Sequence, residues 1–357
     1  MSKVNNIYAV IMAGGRGERF WPLGRRNRPK QLLNLTGNAT LIEEAVQRLY
    51  GLVPPERVLV ITNHKHVEPI RELLPIPAEN VIGEPIGRDT SPCVALAAGL
   101  IRRQDPEATM ILLPADHVIT PAKALCDLLQ SAAAAAQSGA LVTIGIKPDR
   151  PATGYGYIHR ASPLAEAEGF FDVLGFREKP DLATAEKFLA SGEYLWNSGM
   201  FIWRIDAIMR ELSRQRPALA ALADAVADAA ENELEKVILR EYNAAEPLSI
   251  DYAVMEGAER VIVGESTFAW DDIGSWSALR GQRPLDDAGN VKDGNIELAD
   301  CRDCIVMADS LMVGAVGLEG MVIIQSGNGV LVCRTEDEQR VKELVRAMDA
   351  NGRSEFI

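Results

Sequence analysis

Long apolar runs are missing from this 357-residue chain. No stretch reaches the roughly 18 uninterrupted apolar residues that a membrane-spanning helix needs, and the polar opening, residues 1–6, lacks the basic-then-apolar layout of a secretory leader. Those absences argue against a membrane partner and for the cytoplasm. Cysteine is scarce as well: Cys93, Cys126, Cys301, Cys304 and Cys333 are odd in number and scattered, unlike a disulfide framework. Cys301 and Cys304 form a C-x-x-C, yet no second pair or nearby histidine completes a four-ligand zinc set, so small buried residues are the simpler reading. Positive charge is in deficit. The formal net charge of -13 excludes a general nucleic-acid binder, because phosphate backbones demand broad basic surfaces.

What is present is an ordinary globular composition, 47% apolar and 24% charged, in a chain too long for one core of usual size. A large catalytic domain with a smaller appendage is the expected plan. The positive charge that exists is concentrated. Through Lys30 the chain carries Lys3, Arg16, Arg19, Arg25, Arg26, Arg28 and Lys30 against the single acid Glu18. A compact polyanion such as a triphosphate fits one small basic cluster in an acidic protein better than a polymer does.

Hydrophobic patterning supplies the order of elements. Residues 7–12 form a fully apolar run that stops at Ala13-Gly14-Gly15-Arg16-Gly17, as a buried parallel strand running into a glycine loop would. Further strand-like runs at 58–62, 110–113 and 141–146 alternate with helical segments at 40–49, 91–103 and 122–137, which predicts a doubly wound α/β sheet with ligands beyond the carboxyl ends of its strands. The alanine-rich stretch 207–242, interrupted at Pro217, reads as helices covering that sheet. After about residue 285 the texture changes to short apolar runs broken by Gly, Asn and Asp (305–307, 311–316, 321–324, 330–332), the pattern of a small β domain of solenoid type. Val341, Leu344, Val345 and Met348 then predict an amphipathic terminal helix over 336–350.

The glycine loop follows a strand, the setting in which backbone N–H groups cradle phosphates. It is neither a P-loop, which ends in Gly-Lys-Ser/Thr, nor a dinucleotide fingerprint, which needs glycine where Phe20 stands. Arg19 and, eleven residues on, Lys30 are left to supply charge.

Gly14-Gly15-x-Gly17-x-Arg19, then Trp21-Pro22-Leu23 and Arg28-Pro29-Lys30-Gln31, resemble the signature of the sugar nucleotidyltransferases, and closely that of the branch that takes GTP and mannose 1-phosphate. Gly83-Glu84-Pro85-Ile86-Gly87-Arg88-Asp89-Thr90, Leu113-Pro114-Ala115-Asp116-His117, Thr153-Gly154-Tyr155-Gly156-Tyr157-Ile158 and Phe176-x-Glu178-Lys179-Pro180 extend the match in the expected order. Trp196-Asn197-Ser198-Gly199-Met200-Phe201, Ser249-Ile250-Asp251-Tyr252 and Trp270-x-Asp272-x-Gly274-x-Trp276 complete it. The resemblance implies a Rossmann-like catalytic domain, 1–285, and a left-handed β-helix-like domain, 286–357. It also implies in-line attack of a sugar 1-phosphate on the α-phosphorus of a nucleotide, with pyrophosphate leaving. A homodimer is compatible with it.

That reaction brings two anions together and needs cations close by. Arg19 and Lys30 are the candidates for the triphosphate and the departing pyrophosphate, and Lys179 for the sugar phosphate. Gly14, Gly15, Gly17, Glu84, Arg88 and Thr90 are the candidate nucleotide contacts, and Gly156, Glu178 and Asn197 the sugar contacts. Mg²⁺ favours oxygen ligands and takes one or two carboxylates besides phosphates, for which Asp116 and Asp272 are the candidates. Trp196 and Tyr157 read as core. The family commonly has Asn at Asp89 and Ser at Gly24, and the first change adds a negative charge near the expected base site. Another nucleotide and sugar pair, or a non-catalytic regulatory homologue, are the competing readings. Some family members carry an isomerase domain after the β part; the end at Ile357 predicts no isomerisation of fructose 6-phosphate.

Overall fold

The computed structural model describes residues 4–15, 17–165 and 167–357; Lys3 and Arg16 of the basic cluster, and the first three residues of the polar opening, lie outside the described residues. Two compact units are built from interleaved stretches of chain: Met1–Gly14, Val46–Pro114 and Ile119–Trp270 in one, and Gly15–Ala45, Ala115–Val118 and Asp271–Ile357 in the other.

The first unit is organised by a nine-stranded sheet. Strands β1 (Ile7–Ala13), β2 (Val58–Asn63), β3 (Val81–Glu84) and β4 (Thr109–Pro114) are parallel. β5 (Val118–Thr120) is a short strand outside that sheet. β6 (Leu141–Ile146), β7 (Tyr157–Pro163), β8 (Phe170–Arg177), β9 (Tyr194–Arg204) and β10 (Val261–Glu265) complete the order β3-β2-β1-β4-β9-β6-β10-β8-β7. The α/β sheet is mixed: β9 runs antiparallel to both β4 and β6, and β7 and β8 pair antiparallel with each other. Parallel strands covered on both faces read as unbroken apolar runs, whereas β7 and β8 carry polar residues on a partly open face and lose that signal.

The helix Thr90–Gln104 lies against Pro217–Asp228 through Gly99, where an added Cβ would stand 2.6 Å from the Ala223 carbonyl oxygen. Val10, Leu59, Met110, Leu112, Leu96, Ile101 and Trp203 meet in one buried core. The stretch 207–242 forms three helices, Ile205–Gln215, Pro217–Asp228 and Leu234–Ala244, with Pro217 at the first position of the second, where its missing N–H is harmless. Helices Leu41–Gln47 and Ala122–Ala136 stand where periodicity predicted them.

In the second unit, after the short β11 (Ala269–Asp271), come β12 (Val291–Asp293), β13 (Ile296–Ala299), β14 (Ile305–Ala308), β15 (Val313–Val316), β16 (Met321–Ser326) and β17 (Gly329–Arg334). They form two small sheets, β12-β14-β16-β17 and β13-β15, parallel except for the β16–β17 hairpin, as the rungs of a β-helix-like coil. The terminal helix is shorter than its periodicity suggested: a 3-10 stretch Thr335–Arg340 precedes Val341–Ala350. Val341 and Val345 are buried while Leu344 is 44% exposed, because 341, 345 and 348 share one stripe and 344 falls beside it. Among the described residues no helix is long and apolar enough to cross a membrane.

Candidate functional site

In the second unit the glycine loop is shaped around Lys30. Gly15 and Gly17 have φ of 90 and 62 degrees, and a Cβ on Gly17 would stand 2.7 Å from Lys30 Cβ and 2.8 Å from its backbone nitrogen. Glycine is thus required at 17 both by conformation and by close approach. Lys30 opens a 3-10 turn, Lys30–Leu32, and is only 8% exposed. Its Nζ donates to Asp116 Oδ2 at 2.8 Å and to the Asp272 carbonyl oxygen at 2.5 Å. One ammonium therefore joins the two aspartates that sequence reasoning singled out, 86 and 242 residues away.

Arg19 Nη1 donates to the Gly274 carbonyl at 2.9 Å. A Cβ on Gly274 would lie 3.3 and 3.4 Å from the Asp272 carboxylate oxygens and 3.5 Å from Arg19 Nη1, so both charged groups border that glycine. Burial works to raise the Asp116 carboxyl, but the Lys30 ammonium, the His117 imidazole and hydrogen bonds outweigh it and hold it below the usual carboxylate range. Ile273, next to Asp272, has φ of 39 degrees, a strained conformation for a β-branched residue. Asp89 (63 degrees) and Lys179 (43 degrees) are likewise left-handed, so three of the five such non-glycine residues among those described belong to or adjoin the candidate set. Backbone strain concentrates where surrounding structure holds residues for function.

In the first unit a second group forms around Gly156. Its missing Cβ would stand 2.5 Å from Glu178 Oε2 and 3.4 Å from Asn197 Cβ, and its carbonyl accepts from Asn197 N at 2.8 Å. Lys179 Nζ lies 2.8 Å from Glu178 Oε1, and this hydrogen bond raises the lysine above its ordinary value. Asn197 Nδ2 donates to Asp251 Oδ1 at 2.7 Å. Asp251 belongs to a motif of the resemblance but carried no role there; its pairing with Asn197, 54 residues away, left no local signal. Burial pushes its carboxyl up to about 6, and the Glu178 charge acts in the same direction.

Glu84, Arg88 and Thr90 occupy the end of β3 and the start of the helix Thr90–Gln104. Glu84 is buried, not solvent-facing: its Oε1 accepts from the Tyr242 hydroxyl, and burial raises its carboxyl. Tyr242 is a second residue that sequence reasoning passed over. Arg88 Nη2 donates to Asn243 O at 2.8 Å, while its buried Nε finds no hydrogen-bond partner among the described residues. Thr90 Oγ1 accepts from Ile250 N at 2.8 Å, and Asp89, where the family commonly has Asn, caps the helix, its Oδ1 accepting from Thr90 N at 2.7 Å. At the other departure from the family pattern, Gly24, a Cβ would stand 3.0 Å from Gly17 O, so a side chain there requires a small shift of the loop. Gly14 directly follows β1, and a Cβ added to it would meet nothing within 4 Å. Trp196 and Tyr157 are both buried, as a core reading requires, and the Cys301 and Cys304 thiols pack inside a small apolar cluster with Val306, Ala315 and Ile323.

Asp116 and Asp272 supply hard oxygen donors beside cationic side chains, a set that suits Mg²⁺ when phosphate oxygens complete the shell. Among the described residues no group of three or more His, Cys, Asp or Glu side chains could hold a metal by itself.

The nucleotidyl transferase pattern matches residues 8–286. The chain belongs to the nucleotidyl transferase family. The pattern of the MannoseP isomerase/GMP-like beta-helix domain matches residues 294–348, so the transferase domain is followed by a β-helix-like one, as the resemblance implied. This nucleotidyl transferase is 40% identical over 358 residues to a mannose-1-phosphate guanylyltransferase of Klebsiella pneumoniae, covering 98% of this chain and 75% of that protein. It is 36% identical over 356 residues to the alginate biosynthesis protein AlgA of Pseudomonas aeruginosa, covering 97% of this chain and 73% of the relative. A solved structure named mannose-1-phosphate geranyltransferase, from Thermus thermophilus, has a TM-score of 0.88 at 34% identity and covers 97% of this chain and 100% of that one.

Proposed function

We propose that this nucleotidyl transferase is a mannose-1-phosphate guanylyltransferase, which joins GTP to α-D-mannose 1-phosphate and releases pyrophosphate. The observation that carries the reading is Lys30 bonded at once to Asp116 and to the Asp272 backbone, in a chain 40% identical to a protein of that name over nearly its whole length.

An ammonium has three donors, and the two aspartate contacts use two of them. The third is assigned to a nucleotide phosphate oxygen, with the Arg19 guanidinium on the same polyanion and the backbone of Gly14, Gly15 and Gly17 around it. Lys179, tied to Glu178, takes the phosphate of the sugar, while Glu178, Asn197 and Gly156 hold its hydroxyls. Arg88 and Thr90 belong to the base side, where Glu84 acts through Tyr242 by fixing the strand end. Each group has its own task in that chemistry: Arg19 and Lys30 are assigned to the charge that builds on the nucleotide phosphates, and Lys179 to orienting the attacking phosphate of the sugar. Mg²⁺ held by Asp116 and Asp272 would neutralise phosphate charge. We assign the enzyme to the cytoplasm as a homodimer with soluble substrates, and its working domains to 1–285 and 286–357.

The test is pyrophosphate release from GTP, ATP, UTP and dTTP, each with mannose 1-phosphate or glucose 1-phosphate, with and without Mg²⁺. Metal-dependent turnover chiefly with GTP and mannose 1-phosphate, abolished by Asp116→Ala, is expected. Preference for another pair would replace the substrate assignment, and no turnover with any pair would replace the enzymatic one.

A further inference from the structure

Between the glycine loop and Lys30 the chain makes a tight turn, Arg25 to Arg28, closed by two backbone hydrogen bonds: Arg25 N to Arg28 O at 2.9 Å and Arg28 N to Arg25 O at 3.0 Å. The Arg25 side chain leaves that turn for the tip of the β16–β17 hairpin, some 300 residues away in sequence. Nη1 donates to Asn328 Oδ1 at 2.8 Å and Nη2 to Ser326 O at 3.0 Å, while Nε bonds back to Pro22 O at 3.0 Å. All three nitrogens of the planar fork are engaged, two on the hairpin and one on its own segment.

The hairpin tip is itself fixed. Asp309 accepts from Ser326 Oγ at 2.6 Å and from Gly327 N at 3.1 Å. Next along, Gly329 packs so closely that a Cβ would stand 2.8 Å from Pro22 Cβ, 3.1 Å from Arg25 Nη2 and 3.3 Å from Trp21 Cζ2. Trp21 Nε1 donates to Phe356 O at 2.7 Å, and Arg26 pairs with Asp349 at 2.6 Å, so the C-terminal segment grips the same stretch from a second direction. Lys30 begins only two residues after this turn, across Pro29, and on its other side meets the Gly17 backbone. Its ammonium therefore reaches Asp116 and Asp272 from a base held at both ends.

We infer that Arg25 is a positioning residue: clasped by Ser326 and Asn328 of the β-helix-like domain, it fixes the turn that delivers Lys30 to Asp116 and Asp272, and so sets efficiency toward the nucleotide. The inference rests on the assignment of Lys30 to the nucleotide phosphates. It gives the appendage a part in the reaction without a side chain that touches substrate.

Steady-state kinetics with GTP and mannose 1-phosphate varied separately, together with thermal unfolding, test it on wild type, Arg25→Ala, Arg25→Lys, Asn328→Ala and Arg334→Ala. Misplacement of a charged group by about 1 Å from a remote change costs up to about 10²-fold. Arg25→Ala is expected to lower kcat/KM for GTP by about tenfold to 10²-fold, with KM for mannose 1-phosphate changed less than about twofold. Asn328→Ala, an exposed position that removes one hydrogen bond, gives a smaller loss in the same parameter, and Arg25→Lys recovers part of it. Arg334, an exposed arginine of β17 paired with Glu336, serves as the control and leaves both parameters unchanged on substitution. Should Arg25→Ala fail to fold, Asn328→Ala and Arg25→Lys carry the comparison. Wild-type kcat/KM for GTP in the folded Arg25 and Asn328 variants overturns the inference, as does an equal loss toward both substrates that merely follows the fall in Tm. An inactive wild type instead overturns the functional reading on which it rests.

Discussion

At Gly17 two constraints exclude a side chain, the left-handed φ of 62 degrees and the Lys30 backbone nitrogen 2.8 Å from the Cβ position. Gly17→Ala is therefore expected to cost about 1–3 kcal/mol and to displace Lys30 as well, lowering turnover more than stability. Thermal unfolding beside pyrophosphate release checks this; a variant with wild-type turnover would show that the contact is incidental. Asp251 gives a pH-dependent prediction. Its folded carboxyl, raised by burial to about 6 from an ordinary 3.8, holds its proton more tightly than in the unfolded chain. The sign follows: stability from this group is full below the unfolded value and is lost as pH rises through about 6. Asp251→Asn keeps an acceptor for Asn197 but removes the charge, so it should match wild type near pH 3.5 and exceed it above pH 7 by about 3 kcal/mol. Denaturant titration of both proteins across that range decides it, and a constant difference at every pH would remove Asp251 as the cause. Lys30, Asp116 and Asp272 stand out in the sequence through the motifs of the resemblance, and the structure brings these three together. The parts played by Tyr242 and Asp251 were not legible there, since what marks them is a partner far along the chain, Glu84 and Asn197 respectively.

Elements repeat that contrast. β1, β2, β4 and β6 were readable from unbroken apolar runs, because parallel strands buried on both faces need little else. β9 was recognised only as a motif: Asn197, Ser198 and Gly199 interrupt its apolar pattern, and Ser198 Oγ spends its donor on Ile144 O at 2.6 Å inside the sheet. Its antiparallel course could not be read from alternation alone, which reports burial and not strand direction. The helix Thr90–Gln104 provides a test in which two effects oppose each other. Gly99→Ala gains roughly 1 kcal/mol of helix propensity, but its Cβ would lie 2.6 Å from the Ala223 carbonyl and 2.9 Å from Val226 Cβ. Backbone on the far side of the contact cannot swing away as a side-chain tip can, so overpacking of about 1–3 kcal/mol wins and the net effect is destabilising. A rise in Tm for Gly99→Ala would mean that the two helices separate more easily than this packing implies.

For the molecule as a whole, the change of texture after residue 285 signalled an appendage, while the interleaving of the compact units left no trace in composition. An apolar residue announces that it will be buried, not which neighbour will cover it. Phe20, Leu33, Leu35 and Leu41, from the segment that carries Lys30, share one core with Val291, Ile305, Val322 and Ile324 of the β-helix-like coil. Local stability should follow that shared core and not order along the chain. Ile324 is fully buried, and truncating it to alanine typically costs about 2–5 kcal/mol because the cavity closes only partly. The expected result of Ile324→Ala is faster amide hydrogen exchange at 33–41 together with 305–331, as one cooperative group. Faster exchange in the coil with unchanged protection at 33–41 would show that the Lys30 segment draws its order from elsewhere, and that the shared core does not act as one unit.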